Sequence, residues 1–226
     1  MKNILNEIII MRMCNSNDNN INSVKFYECY DTENEFVIVM ELCDNDLKKI
    51  LREKKSFNKD EIKEILQQLN NTFKIMINNK IIHRDLKLEN ILVKYINEKK
   101  NRFIVKLSDF GVSRKLNTLT QKCITHTGTM FYMAPEILNE EEYNNKCDLW
   151  SLGIIIYQLF FKNSPYNAKT EVGLLKIINK FGKALIAKTK FDLLDDLIGK
   201  LLEKEPSKRL SWEEYFEHPF IKGNTK

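Results

Sequence analysis

The sequence predicts an α+β fold, mainly helical, with its strands confined to the first half of the chain. Two observations carry this. Short runs rich in β-branched and aromatic residues occur at Val24–Tyr30, Phe36–Met40, Ile91–Val93 and Phe103–Leu107, whereas apolar residues recur at helical spacing at the start and through the whole second half. Strands segregated from helices in this way read as α+β.

Taken in order, Ile4, Leu5, Ile8 and Met11 lie on one helical face, so the chain opens in a helix. The Asn-rich stretch 15–22 reads as a loop. The strands 24–30 and 36–40, joined by the polar turn Asp31-Thr32-Glu33-Asn34, form a hairpin. Asn58, with Glu61 three positions on, predicts a capped helix start; apolar residues at 62, 65, 66, 69, 73 and 77 continue the helix to the turn at Asn78-Asn79. Two strands then flank a polar insert at 97–101. Helices follow at about 147–161, 170–180, 191–203 and 211–217, with Pro206 and Pro219 as punctuation.

The 226 residues are 43% hydrophobic, ample for a buried core. The net charge is +5, with cations and anions interspersed, so no basic tract points to nucleic acid. Five scattered cysteines, with no pair at zinc or redox spacing, suit reduced thiols, and the N-terminus lacks the apolar core of a signal peptide. The most apolar run, 149–161, is interrupted by Ser151, Gly153 and Gln158 and is too short for a membrane span. A cytoplasmic location follows, with the nucleus as the alternative. Nothing in the sequence bears on oligomeric state.

Chemistry concentrates in three ordered motifs: Ile82-His83-Arg84-Asp85-Leu86-Lys87-Leu88-Glu89-Asn90, Asp109-Phe110-Gly111, and Ala134-Pro135-Glu136. A carboxylate, an ammonium and an amide at fixed offsets are what phosphoryl transfer to a hydroxyl requires: a proton acceptor, and cationic groups to hold phosphates in line. With Asp109 downstream as an oxygen donor for a hard cation, the set resembles that of the eukaryotic-type serine/threonine protein kinases.

The resemblance extends over essentially the whole chain and implies a division into a partial N-terminal lobe (1–43), a C-terminal lobe (44–222) and a short tail (223–226). It implies Asp85 as catalytic base, Lys87 at the γ-phosphate, and Asn90 and Asp109 as magnesium ligands. ATP is the implied cofactor. Its adenine would lie at the backbone of Glu41 and Cys43, behind the gatekeeper Met40 and above Leu92, with Asp46 near the ribose. Glu7 matches the glutamate of the first helix that pairs with a lysine on an earlier strand. Thr127-Gly128-Thr129 resembles the substrate loop of Ser/Thr kinases, with Thr129 on Asp85 and Lys87.

Other positions carry regulatory or structural expectations. Arg84, helped by Arg114, implies control by phosphorylation of the activation loop; among Thr118, Thr120, Thr125 and Thr127, the offset from Gly128 selects Thr125, the target of an upstream kinase. His83 is read as a packing residue, stacked with Phe110, Met11 and Phe26. Glu136 pairs with Arg209, and Asp148 anchors the catalytic-loop backbone. The seven glycines never cluster, so no glycine-rich phosphate loop and no strand lysine for Glu7 occurs in the sequence. A fragment or truncated gene product of a longer kinase acting on protein substrates is the first expectation. A catalytically impaired interaction module is the second.

Overall fold

The structure is a computed structural model and describes residues 2–16, 20–32, 35–97, 102–117, 123 and 127–223. Helix α1 (Lys2–Cys14) buries Ile8, Ile10, Met11 and Cys14 and leaves Leu5 and Ile9 half exposed. The buried stripe is rotated from the predicted one because Ile8-Ile9-Ile10 is apolar all round, so the partner surface selects the face.

The described residues of the following Asn-rich stretch are irregular, as the loop reading expects, but not all of them face solvent. Asn20 and Asn22 are buried; Asn20 Nδ2 donates to the Cys14 carbonyl (2.8 Å) and Asn22 Nδ2 to that of Val105 (2.9 Å). Side-chain amides there satisfy backbone carbonyls that would otherwise lack donors. Strands β1 (Phe26–Asp31) and β2 (Phe36–Met40) form the antiparallel hairpin, with Tyr30 opposite Val37 and an irregularity between Phe26 and Glu28.

Strand β3 (Asn45–Asp46) leads into α2 (Leu47–Lys54), an eight-residue helix that the sequence reading missed, since it is too short to show a period. Helix α3 (Lys59–Asn78) begins at the expected box: the Asn58 amide donates to Glu61 Oε2 (2.9 Å) and the Glu61 amide to Asn58 Oδ1 (3.0 Å). All six predicted apolar positions, Ile62 to Ile77, are buried.

Strands β4 (Ile81–Ile82), β5 (Ile91–Tyr95), β6 (Phe103–Leu107) and β7 (Arg114–Lys115) make two small antiparallel sheets, β3-β5-β6 and β4-β7. Then come α4 (Pro135–Leu138) and α5 (Lys146–Phe161), in which every residue from Cys147 to Tyr157 is buried. Helices α6 (Glu171–Phe181), α7 (Asp192–Leu201), α8 (Trp212–Glu217) and α9 (Pro219–Lys222) follow, with α7 packed on α5, α6 on α4, and α9 on α3 and α7. Pro219 opens α9 at its first position, where a missing N–H costs nothing. Gly153 lets α5 approach α7, because a Cβ there would lie 2.8 Å from Leu202 Cδ2. Among the described residues no helix is long and apolar enough to cross a membrane.

Candidate active site

The chain between β4 and β5 is a loop held from behind by the start of α5. Asp148 Oδ2 accepts the His83 amide (2.8 Å) and Oδ1 that of Arg84 (2.9 Å), pinning Arg84 in a left-handed conformation at φ 70°. Asp148 is fully buried; burial pushes its pKa up to about 6, against the downward pull of the two amides. His83 is also buried, and burial takes its pKa down to about 4. As a neutral ring it donates from Nε2 to the Ser108 carbonyl (3.1 Å), accepts the Asp85 amide at Nδ1 (3.4 Å), and lies 5.2 Å from the Phe110 ring. Met11 shares that core and Phe26 packs on its edge.

This anchored loop presents Asp85. Its Oδ1 accepts the Thr129 hydroxyl (2.7 Å), and its Oδ2 accepts the Lys87 ammonium (2.5 Å) and the Asn90 amide (3.2 Å). Lys87 Nζ also donates to Thr129 Oγ1 (3.0 Å). Burial raises the Asp85 pKa, but the Lys87 and Thr129 hydrogen bonds outweigh it and leave the carboxyl below its ordinary value. Thr129 reaches the loop because Gly128 (φ 119°) crosses the Arg84 carbonyl, where a Cβ would lie only 2.7 Å away.

A second acidic centre adjoins the first. Ser108 donates through both its amide and its hydroxyl to the Asn90 carbonyl (3.0 Å each), joining the end of β6 to the loop. Asp109 follows at φ 62° and accepts the Gly111 amide at 3.4 Å. Asn90 Nδ2 is held by the Asp85 carbonyl (2.9 Å), which leaves Oδ1 without a partner among the described residues. Glu7 reaches this centre from α1: its Oε2 would lie 3.5 Å from a Cβ at Gly111. Burial first, then the charge of Asp109, raises the Glu7 pKa. Asn6, its neighbour, donates to the Ser113 carbonyl (2.8 Å) and fixes α1 against this segment.

The protein kinase domain family matches residues 1–221 of this sequence. The chain belongs to that family. Similar proteins include serine/threonine-protein kinase 33 of Bos taurus (34% identity, covering 88% of this chain and 42% of the relative). Serine/threonine-protein kinase TIO of Arabidopsis thaliana is 33% identical over 89% of this chain and 15% of its own length. The putative serine/threonine-protein kinase R517/R518 of Acanthamoeba polyphaga mimivirus is 37% identical over 88% of this chain and 49% of its own length. The chain thus spans less than half the length of each of these relatives.

In this kinase domain Glu136 and Arg209 meet as a buried two-pronged pair, Oε1 to Nη1 at 2.7 Å and Oε2 to Nη2 at 2.9 Å. Arg84 Nε donates to the Val112 carbonyl (2.6 Å) and Nη1 to the Tyr143 hydroxyl (3.3 Å). Arg114 lies half-buried in β7, opposite Ile82. Thr118, Thr120 and Thr125 fall outside the described residues.

Around the segment after β2, the Glu41 amide donates to the Lys25 carbonyl (2.8 Å), while the Cys43 backbone has no hydrogen-bond partner among the described residues. Leu92 is half-buried opposite Lys106 and Asp46. Asp46 is the N-cap of α2: its Oδ1 accepts the Lys49 amide (2.9 Å).

The sequence reading missed Lys106. It is buried in β6, donates to the Ile21 carbonyl (2.6 Å) and pairs with Glu41 Oε2 (3.0 Å), while Lys94 takes Oε1 (2.9 Å). Burial raises the Glu41 pKa, yet the two lysines prevail and hold it below its ordinary value. Lys94 lies on β5, Lys106 on β6 and Glu41 just after β2, so the three charges meet only in the fold and no local signal marks them.

Proposed function

We propose that this domain is a protein serine/threonine kinase, transferring the γ-phosphate of magnesium-bound ATP to Ser and Thr hydroxyls of protein substrates. The observation that carries the reading is the Asp85 carboxylate, ionised and aimed by Thr129 and Lys87. Such a group orients an incoming hydroxyl and accepts its proton. Lys87, one bond away, is placed to meet negative charge that develops beside it.

The donor set fits the cofactor. Asn90 Oδ1 and the Asp109 carboxylate are oxygen ligands of the kind a hard divalent cation takes, and they would hold magnesium. Bound magnesium-ATP supplies the phosphoryl group and offsets the charge on it. The open Cys43 backbone and the apolar Leu92 suit a planar base, with the division between lobes falling near residue 43.

Control through Thr125 by an upstream kinase belongs to the same reading; it is supported by Arg84 being held rigidly in the catalytic loop. Five free cysteines support residence in the cytoplasm or nucleus. The competing reading, an impaired kinase-like interaction module, is favoured by Glu7, which faces Asp109 with no cation beside it among the described residues.

Purified chain and its Asp85→Asn variant, assayed for phosphate transfer to a mixed Ser/Thr peptide pool, separate the two. Transfer that disappears in the variant while its melting temperature holds supports the kinase. Absence of transfer, together with no thermal shift at millimolar magnesium-ATP, favours the interaction module.

A further inference from the structure

A groove of about 240 Å³ opens beside Thr129, the residue whose hydroxyl is bonded to Asp85 at 2.7 Å. The groove therefore lies within reach of the residues that flank a hydroxyl presented to Asp85. The floor is apolar and aromatic: Leu51 and Leu88 are buried beneath it, and Phe131 is 37% exposed. The rim is cationic, formed by Lys48 on α2, Arg52 on the next turn, and Lys162 just past the end of α5.

One acid lines the groove, and it is already engaged. Glu89 Oε1 is paired with the Lys48 ammonium, and its Oε2 is buried. Arg52 and Lys162 are exposed and have no carboxylate partner among the described residues. Two unmatched cations therefore face whatever lies beside the acceptor hydroxyl.

We infer that this groove selects acceptor polypeptides carrying Asp or Glu next to the phosphorylated Ser or Thr, with Arg52 and Lys162 as the residues that read the acid. The inference rests on the function proposed above and names its substrate class. Arg and Lys in the same peptide position meet like charge, which costs about as much as the attraction contributes. Each exposed pair is individually weak, so the two together give a preference of roughly fivefold at low salt, shrinking as salt screens it.

The test uses three fluorescent peptides that differ only in having Glu, Ala or Arg flanking one Ser. Binding to the whole chain is read by anisotropy, and phosphate transfer is read in parallel. The Glu peptide is expected to bind about fivefold tighter than the Ala peptide, with the order Glu, Ala, Arg. In Arg52→Glu/Lys162→Glu the order inverts, with melting temperature showing that the variant is folded. Equal binding of all three, or a preference for Arg, overturns the inference. The two readings fail separately: a Glu preference without transfer to any peptide removes the kinase function and leaves the groove assignment, whereas transfer without that preference does the reverse.

Discussion

Asp148 holds Arg84 by its backbone, accepting the amide at 2.9 Å while Arg84 sits at φ 70°. A left-handed non-glycine residue costs about 1 kcal/mol or more unless its surroundings enforce it, and here a carboxylate on the most buried helix does so. The loop carrying Asp85 is thus shaped from the core outward.

That anchoring has a pH signature. The folded chain keeps the Asp148 proton up to about 6, against an ordinary 3.8, so stability from this group is lost as pH rises through that window. His83 acts oppositely: folded at about 4 against 6.5, it refuses a proton that the unfolded chain accepts, and stability is lost as pH falls from 6.5 to 4. Each is worth about 3 kcal/mol, so the two nearly cancel. In Asp148→Asn, urea denaturation is expected to show a stability that climbs between pH 4 and 6.5 more steeply than in the unaltered chain. Parallel curves would remove the assignment.

Arg209 donates to Glu136 through both terminal nitrogens and also to the carbonyls of Lys146 (2.9 Å) and Glu203 (2.9 Å), with its guanidinium 5.3 Å from the centre of the Trp150 ring. Arg209→Met leaves Glu136 buried and uncompensated, and is expected to cost about 3–5 kcal/mol. Adding Glu136→Leu should recover part of this loss. A double variant no more stable than Arg209→Met alone would contradict the pairing.

Thr129 lowers the Asp85 pKa by hydrogen bonding. On the proposed function, Thr129→Val is expected to reduce kcat by roughly 10- to 100-fold through lost positioning and to move the acid limb of the kcat/KM profile to higher pH. Thr129→Ser should retain both values. An unmoved acid limb would mean that the hydroxyl is merely structural.

Glu7 is destabilised when ionised, by burial and by Asp109. Its raised pKa means stability lost as pH climbs above the ordinary carboxylate value. Glu7→Gln should therefore raise Tm at pH 7.5 and leave it unchanged at pH 4. A lower Tm at pH 7.5 would show that a cation compensates Glu7.

Much of the fold was legible because its signals are local. The capping box at Asn58 and Glu61 and the stripe from Ile62 to Ile77 lie within one helix, and the predicted helix bounds at α5, α6, α7 and α8 fall within two residues of those found. What escaped reading depends on neighbours far along the chain. Helix α2 is too short for a period, and its cap, Asp46, reads equally as a ligand. Asn20 and Asn22 look like solvent-facing loop residues until Cys14 and Val105 supply their acceptors.

The sequence by itself determined the family and the identities at the site, because Asp85, Lys87, Asn90 and Asp109 stand in motifs whose offsets are meaningful without a fold. Tertiary structure alone decided their electrostatics. Whether Asp85 is ionised, Glu7 strained, Glu41 clamped by Lys94 and Lys106, or Arg52 and Lys162 left unmatched depends on burial and on charges brought close from other elements. Those interactions fall off over a few ångströms through space, and separation along the chain carries no record of them.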